Sequence, residues 1–139
     1  MASPNNFNQT LIEEFRAKGG KVSGYFANSQ LLLLTTTGAK SGQPRVSPVA
    51  YTTDGDRLVI IASKAGAPTN PDWYHNLLAH PIATIEKGNE QIQVRATAVD
   101  EEPERKRLYA KMVEVMPGFA EYEQKTTRKI PVIVLERVD

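Results

Sequence analysis

Two tight turns constrain the fold of this chain more than any other feature of its sequence. Asp54-Gly55 follows the predicted strand 46–53, and Gly88-Asn89 follows the predicted strand 82–87. Dipeptides of this kind favour short β-hairpins, and a hairpin pairs its two strands antiparallel. The sequence therefore favours an antiparallel sheet over a parallel sheet of the Rossmann type.

The remaining patterns predict a small, mainly β domain with flanking helices. The predicted strands are 30–36, 46–53, 57–63, 82–87, 90–99 and 130–138. The predicted helices run from a cap at Asn5 or Asn6 to Gly19-Gly20, from a cap at Asn70 to His80, and from about residue 100 to Val115, with Leu108, Met112 and Val115 facing inward. Six strands of this kind with little helix predict a small, partly open β-barrel.

The first helix is amphipathic. Phe7, Leu11, Ile12 and Phe15 share one helical face. This face favours a helix that packs on the core or lies across a pocket, and the alternative is peripheral membrane contact through residues 1–18. We predict an N-terminal helical segment over residues 1–27 and a barrel domain over residues 28–139.

Composition excludes several functions. The formal net charge of +1 over 139 residues argues against a partner that is a nucleic acid. The chain has no cysteine, which excludes disulfides, thiolate metal sites and cysteine nucleophiles. His75 and His80 do not share a helical face, so no metal site is predicted. The sequence shows neither a membrane span nor a secretory signal, and a cytoplasmic location is therefore expected.

Two glycine-rich loops carry the candidate site. The first covers residues 37–45 and the second residues 62–69, and each follows an apolar predicted strand. Glycines allow close approach of the backbone to a ligand, and backbone N–H groups in such turns bind anions. If the two strands are neighbours, Lys40, Arg45 and Lys64 converge on one multiply charged ligand.

The segment after the second loop allows two interpretations. Trp73 and Leu77 are spaced as core contacts of a capped helix. Alternatively, Trp73 forms an aromatic wall and Asn76 contacts a heteroaromatic ring. No serine in the chain has an evident base beside it, so a nucleophile borne by the protein is not expected. Such a site suits a phosphorylated cofactor that carries the chemistry itself.

Three segments together resemble a known family. Residues 33–45, residues 62–77 with their sequence NPDWYHNL at 70–77, and the tail TRKIPV at 127–132 are similar to the signatures of the deazaflavin-dependent nitroreductase family, which includes the F420H2-dependent quinone reductases. The likeness spans roughly residues 28 to 139. It implies a split β-barrel of the FMN-binding type that binds coenzyme F420, an 8-hydroxy-5-deazaflavin. The implied reaction is hydride transfer from the reduced cofactor to a quinone, a nitroaromatic or a similar electron-poor acceptor.

The resemblance also implies a cofactor site. Coenzyme F420 carries a phosphate and an oligoglutamate tail, which would be held by Lys40, Ser41 and Arg45 with help from Lys64. Ser63 would lie beside the deazaflavin ring. The full set of implied cofactor contacts is Gly38, Ala39, Lys40, Ser41, Gly42, Gln43, Pro44, Arg45, Ser47, Pro48, Ala62, Ser63, Lys64, Ala65, Gly66, Ala67, Pro68, Trp73 and Asn76.

The resemblance further implies catalytic and substrate-binding residues. Ser63 and Tyr122 are the implied catalytic residues, and Met116, Phe119 and Tyr122 are the implied contacts to the acceptor. Some family members have several tyrosines in this stretch, whereas here Met116 and Phe119 are apolar. We therefore expect a more apolar pocket mouth.

Two other functions stay open on the sequence alone. An FMN enzyme of the pyridoxamine-oxidase type would have the same barrel and a similar cationic mouth. A carrier would bind deazaflavin without turning over any acceptor. A homodimer also stays open, because split barrels often pair through their sheet faces.

Overall fold

The computed structural model of the protein describes residues 4–21 and 30–138, with backbone alone for residues 4–8 and for Ala65. The predicted domain boundary between residues 27 and 28 lies outside the described residues. So do the side chains of Phe7 and of the predicted caps Asn5 and Asn6.

All six predicted strands are present. They are β1 (Leu31–Thr37), β2 (Pro44–Asp54), β3 (Arg57–Ile61), β4 (Ile82–Lys87), β5 (Glu90–Val99) and β6 (Val132–Arg137). The helices are α1 (Pro4–Ala17), α2 (Asp72–Ala79), α3 (Glu104–Val115) and α4 (Phe119–Lys125), and a short 3-10 turn covers Lys64–Gly66. The sequence predicted α4 only as a short aromatic segment.

The strands form one closed antiparallel barrel in the order β1-β2-β3-β6-β5-β4. The ring closes where β1 pairs with β4, with Leu34 opposite Ile85. The predicted antiparallel six-stranded barrel of the split-barrel class is confirmed. The expectation that the barrel is partly open is wrong, because β1 pairs with both β2 and β4.

Alternation along the strands fills the barrel with apolar side chains. Leu32 and Leu34 point into the barrel, while Leu31 and Leu33 point outward from the same strand. The inner cluster consists of Leu32, Leu34, Val49, Ile60, Ala62, Leu77, Ala83, Ile85, Val94, Ile133 and Leu135. Leu77 belongs to α2, so this helix packs directly against the barrel interior.

The other helices cover the outside of the barrel. Leu11, Ile12 and Phe15 of α1 are buried in one cluster with Leu31 and Leu33. The described part of the apolar face of α1 is therefore occupied by protein and not free for lipid. None of the helices within residues 4–21 and 30–138 has the length and apolarity needed to cross a membrane.

Three details of the predicted helices are wrong. Neither Asn5 nor Asn6 caps α1, because the helix already begins at Pro4. Asn70 does not cap α2, whose N-cap is Pro71 without a side-chain hydrogen bond. The side-chain oxygen of Asn70 instead accepts a hydrogen bond from Arg128 at 2.7 Å. Val115 is 46% exposed rather than inward-facing, because it lies at the last residue of α3.

Candidate active site

A cleft of about 970 Å³ lies between the two glycine-rich loops, β2 and α2. It is lined by Gly38, Ala39, Lys40, Ser41, Arg45, Ser47, Lys64, Pro71, Asp72, Trp73, His75 and Asn76. Its size matches the upper end of small-molecule sites, about 300–1,000 Å³. The structure thus brings the first loop, Lys64, Trp73 and Asn76 together at one site.

A second, smaller cavity of about 330 Å³ lies between α1 and the turn that joins β4 to β5. Arg16 and Glu86 line it and pair with each other, with Nη2 and Oε2 2.8 Å apart. Glu90 also lines it and lies 3.7 Å from Arg137. Because these charges have protein partners, the larger cleft is the better candidate for a charged ligand.

The first loop is a tight turn between β1 and β2. Gly38 N donates to Gln43 O at 2.8 Å, and Gly42 N donates to Gly38 O at 2.9 Å. A Cβ at Gly38 would lie 2.4 Å from Ser41 Oγ, so any larger residue here would force the Ser41 side chain to move. Ser41 Oγ also accepts a hydrogen bond from Gln43 N at 3.1 Å. The turn therefore presents Lys40 and Ser41 at its tip.

Asn76 fixes this loop from α2. Its Oδ1 accepts a hydrogen bond from Ala39 N at 2.9 Å, and its Nδ2 donates to Thr36 Oγ1 at 3.0 Å. Asn76 and Thr36 are buried, with 8% and 2% exposed. Each polar atom of the Asn76 side chain thus has a protein partner. The sequence did not reveal these contacts, because the partners lie 37 and 40 residues away.

The second loop contains a strained residue. Lys64 has φ of +47°, in the left-handed region that side chains other than glycine rarely adopt. Such strain persists only where the surroundings determine the conformation, and it is common at functional sites. Lys64 Nζ donates to Thr69 Oγ1 at 3.2 Å and lines the cleft from this loop.

Charge in the cleft is positive. Lys40, Arg45 and Lys64 come from the two loops, and within residues 4–21 and 30–138 none of them has a carboxylate within ion-pair distance. Asp72 is the one carboxylate among the lining residues. Unpaired cations around a cleft favour an anionic ligand.

Trp73 is both a core contact and part of the cleft wall. Its side chain is half-buried against the inner cluster and also lines the cleft. Ser47 and Arg45 lie on β2 two residues apart and in step with the inward-facing Val49, so their side chains point toward the barrel mouth. The cleft thus has an aromatic wall beside its cationic loops.

The other expected cofactor contacts lie around the cleft rather than in its lining. Gly42, Gln43 and Pro44 are exposed parts of the first loop and the start of β2, and Pro48 is half-buried on β2. In the second loop, Ala62, Ser63 and Gly66 are buried, Ala67 is half-buried, Pro68 is exposed, and Ala65 is described by its backbone alone.

The expected acceptor contacts lie at α4. Phe119 is buried, and its ring stacks edge-on against Tyr122 with centroids 5.0 Å apart. Met116 and Tyr122 pack on the outer cluster that contains Phe119. The lining of the cleft includes none of these three residues. Instead, α4 packs against Gly66, where an added Cβ would lie 3.1 Å from Tyr122 O.

Arg128 is a residue of the site region that sequence reasoning did not single out. Its guanidinium donates four hydrogen bonds to the second loop and to Asn70. Burial lowers the pKa of Arg128, yet an arginine remains charged throughout the physiological pH range. The only signal in the sequence was its place in the segment 127–132.

Comparison with known proteins identifies the family. The family model of the F420H(2)-dependent quinone reductases matches residues 8–137. A Mycobacterium tuberculosis protein named F420H(2)-dependent quinone reductase is 44% identical over 108 residues, which are 76% of this chain and 72% of that protein.

Two solved structures are also similar. One is described as an F420-H2 dependent reductase, with a TM-score of 0.70 and 37% identity over 77% of this chain and 94% of that chain. The other is described as a domain-swapped dimer, with a TM-score of 0.72 and 33% identity over 96% of this chain and 100% of that chain. With its barrel, its cationic cleft and a family match over nearly its whole length, the chain belongs to the F420H(2)-dependent quinone reductase family, oxidoreductases whose cofactor is coenzyme F420.

Proposed function

We propose that the protein transfers a hydride from reduced coenzyme F420 to a quinone, with the cofactor bound in the cleft of about 970 Å³. The observation that carries this proposal is the convergence of Lys40, Arg45 and Lys64 without carboxylate partners in the described residues. These cations come from two loops and surround a cleft with an aromatic wall, which matches a ligand that has both rings and an anionic tail.

The cofactor fits this donor set. Lys40, Ser41 and Arg45 are exposed at the first loop and would bind the phosphate and the acidic tail. Lys64 would add a fourth contact from the other side of the cleft. Trp73 would border the ring, and the backbone of residues 62–68 would lie beside it. The bound deazaflavin supplies the hydride, while the protein orients it and holds its charge.

The acceptor would bind on the α4 side of the second loop. Ser63 is 6% exposed and would hydrogen-bond charge that develops on the acceptor. Tyr122 and Met116 are half-buried on the α4 side of the second loop and would contact the acceptor there with Phe119. Unchanged kinetics in Tyr122→Phe would remove this hydroxyl from the mechanism.

A fluorescence titration with oxidised F420 tests the cofactor site. We expect Lys40→Ala and Arg45→Ala each to weaken F420 binding by about 10- to 100-fold, since each removes a hydrogen bond between charged groups. Lys106→Ala is the matched control, because Lys106 is an exposed lysine on α3 away from the cleft. Equal affinity in all three variants would mean that the cofactor binds elsewhere.

Turnover with several acceptors tests the reaction. Reduced F420 is mixed with a soluble naphthoquinone or with a nitrobenzene, and the absorbance of oxidised deazaflavin is followed. Turnover of the quinone supports the proposal, and turnover of the nitrobenzene would extend the acceptor class. Tight F420 binding without turnover of either compound would favour a carrier. The FMN enzyme is not favoured by the family match.

The partners and location need separate measurements. A domain-swapped dimer among the similar structures supports testing this chain for a homodimer by light scattering. The buried residues of α1 do not support membrane contact through residues 1–18, which liposome pelleting with full-length protein would test. The cytoplasmic location stays a prediction.

A further inference from the structure

We propose that Arg128 is a positioning residue that holds the second loop in its ligand-binding conformation and couples it to α2. The inference rests on the proposed cleft as the F420 site. Arg128 is not among the residues that line the cleft, so it would act through Lys64 and the backbone around it.

One guanidinium spans the whole second loop. Its Nε donates to Ala67 O at 2.9 Å, and its Nη2 donates to Ser63 O at 2.7 Å. Its Nη1 donates to Ala62 O at 3.1 Å and to Asn70 Oδ1 at 2.7 Å. The acceptors lie on both sides of the turn Lys64–Gly66, so the contacts close the loop around that turn.

Strain in the turn calls for such an outside constraint. Lys64 is strained at φ of +47°, and the turn is closed by short-range backbone hydrogen bonds from Gly66 N to Ser63 O and from Ala67 N to Lys64 O. A strained residue keeps its conformation when neighbouring contacts determine it. Arg128 binds the carbonyls on each side of Lys64 and thereby opposes relaxation of the loop.

The contact to Asn70 links the two halves of the site. Asn70 lies just before α2, and Asn76 within α2 holds Ala39 of the first loop at 2.9 Å. Arg128 therefore fixes the second loop to the same helix that fixes the first loop. The distance between Lys64 and Lys40 would then depend on Arg128, although Arg128 touches neither side chain.

Arg128 is itself held in place by the segment before β6. Its backbone N donates to Thr126 Oγ1 at 3.2 Å. Two residues later, Ile130 O accepts a hydrogen bond from the buried Arg105 of α3 at 3.0 Å.

Lysine could not replace Arg128, because a single ammonium group cannot reach four acceptors that lie in different directions.

The test uses Arg128→Lys and Arg128→Ala with Lys129→Ala as the neighbouring control. Lys129 is an exposed cation that contacts Asp100 O and not the second loop. We expect both Arg128 variants to bind F420 about 10- to 100-fold more weakly, as expected for lost hydrogen bonds to a charged group. We expect KM for the reduced cofactor to rise more than kcat falls.

Chemical rescue distinguishes the positioning role of Arg128 from a purely structural role. Millimolar guanidinium should restore part of the F420 affinity of Arg128→Ala, and methylammonium at the same concentration should not. Amide hydrogen exchange of the cofactor-free protein should show faster exchange at Gly66 and Ala67 in Arg128→Ala, with unchanged exchange in β1 and β4.

The outcomes separate this inference from the proposed function. If wild-type protein fails to bind F420, the proposed cofactor cleft is wrong, and hydrogen exchange still reports whether Arg128 orders the loop. If wild-type protein binds F420 and both Arg128 variants bind it equally well, the positioning role is wrong. Weaker binding that no guanidinium restores, together with faster exchange throughout the barrel, would assign Arg128 to general stability and would also overturn the inference.

Discussion

Single side chains that bind the protein itself determine where the site's cations lie. Asn76 shows this most directly, because both of its polar atoms bind the protein within a buried setting. Its sequence context suggested a contact to a cofactor ring. Its geometry indicates that it orients the first loop from α2.

Asn76→Ala should lower both stability and cofactor affinity. The substitution leaves Ala39 N and Thr36 Oγ1 without their partner. Thr36 is the buried one of the two, and an unpaired buried polar group costs about 1–3 kcal/mol. Urea unfolding and F420 titration would measure the two effects. Gln93→Ala, at an exposed position of β5, is the control that should change neither.

Gly66→Ala should destabilise the contact between the second loop and α4. Gly66 has φ of +81°, and an added Cβ would lie 2.8 Å from Lys125 Cβ. We expect overpacking to lower the free energy of unfolding by about 1–3 kcal/mol, in addition to the cost of placing a side chain at positive φ. Gly55→Ala is a matched control, because Gly55 has φ of +63° and nothing within 4 Å of the added atom. Equal losses in the two variants by urea unfolding would show that α4 moves aside without cost.

Among the elements, α1 is tied to the outside of the barrel by a buried apolar face. Phe15 is 1% exposed and packs with Leu31 and Leu33 on the outer face of β1. Since β1 leads into the first loop, loss of this packing would loosen the strand that carries Lys40.

Phe15→Ala should therefore destabilise the whole barrel. Truncation of a buried phenylalanine typically costs about 3–5 kcal/mol, which is a large share of the stability of a domain of this size. Thermal unfolding checks this, with Gln9→Ala on the exposed face of α1 as the control. A small change for Phe15→Ala would mean that α1 contributes little to folding and would reopen the question of membrane contact.

Sequence patterns predicted the elements well where the signal is local. Alternation and the Asp54-Gly55 turn predicted the β2–β3 hairpin, and Gln91, Gln93 and Arg95 are exposed on β5 as their alternation indicates. The Asn70 cap failed because a tertiary hydrogen bond from Arg128 competes for the same oxygen. The seven-residue α4 was not recognised as a helix, since so short an element has little periodicity.

At the scale of the whole molecule, the site combines segments that are far apart in the chain. Arg128 lies 66 residues from Ala62, and Asn76 lies 37 residues from Ala39. The loops and their cations were predictable because glycine and lysine mark them locally. The side chains that hold the loops were not predictable, because nothing in a local pattern says which distant acceptor a buried arginine or asparagine reaches.

A charge cluster at the turn between β2 and β3 joins this hairpin to α3 and makes stability depend on pH. Arg107 of α3 donates from Nη1 and Nη2 to the two oxygens of Asp54 at 3.0 and 2.9 Å, and Arg57 also pairs with this carboxylate. Hydrogen bonds from Arg107 first, and from Arg57 second, lower the pKa of Asp54 below its usual range. The folded state therefore favours the charged carboxylate more than the unfolded state does.

Because the pKa of Asp54 is lower in the folded protein, its contribution to stability is fully present well above the unfolded pKa of about 3.9 and decreases as the pH falls below it. Asp54→Asn should therefore lower Tm at neutral pH, and its difference from wild type should shrink as the solution is acidified. Thermal unfolding from neutral to acidic pH measures this difference. Glu114→Gln is the control, because Glu114 is an exposed carboxylate of α3 without an ion pair in the described part of the chain. A gap between wild type and Asp54→Asn that stays constant with pH would mean that Asp54 acts by packing and not by charge.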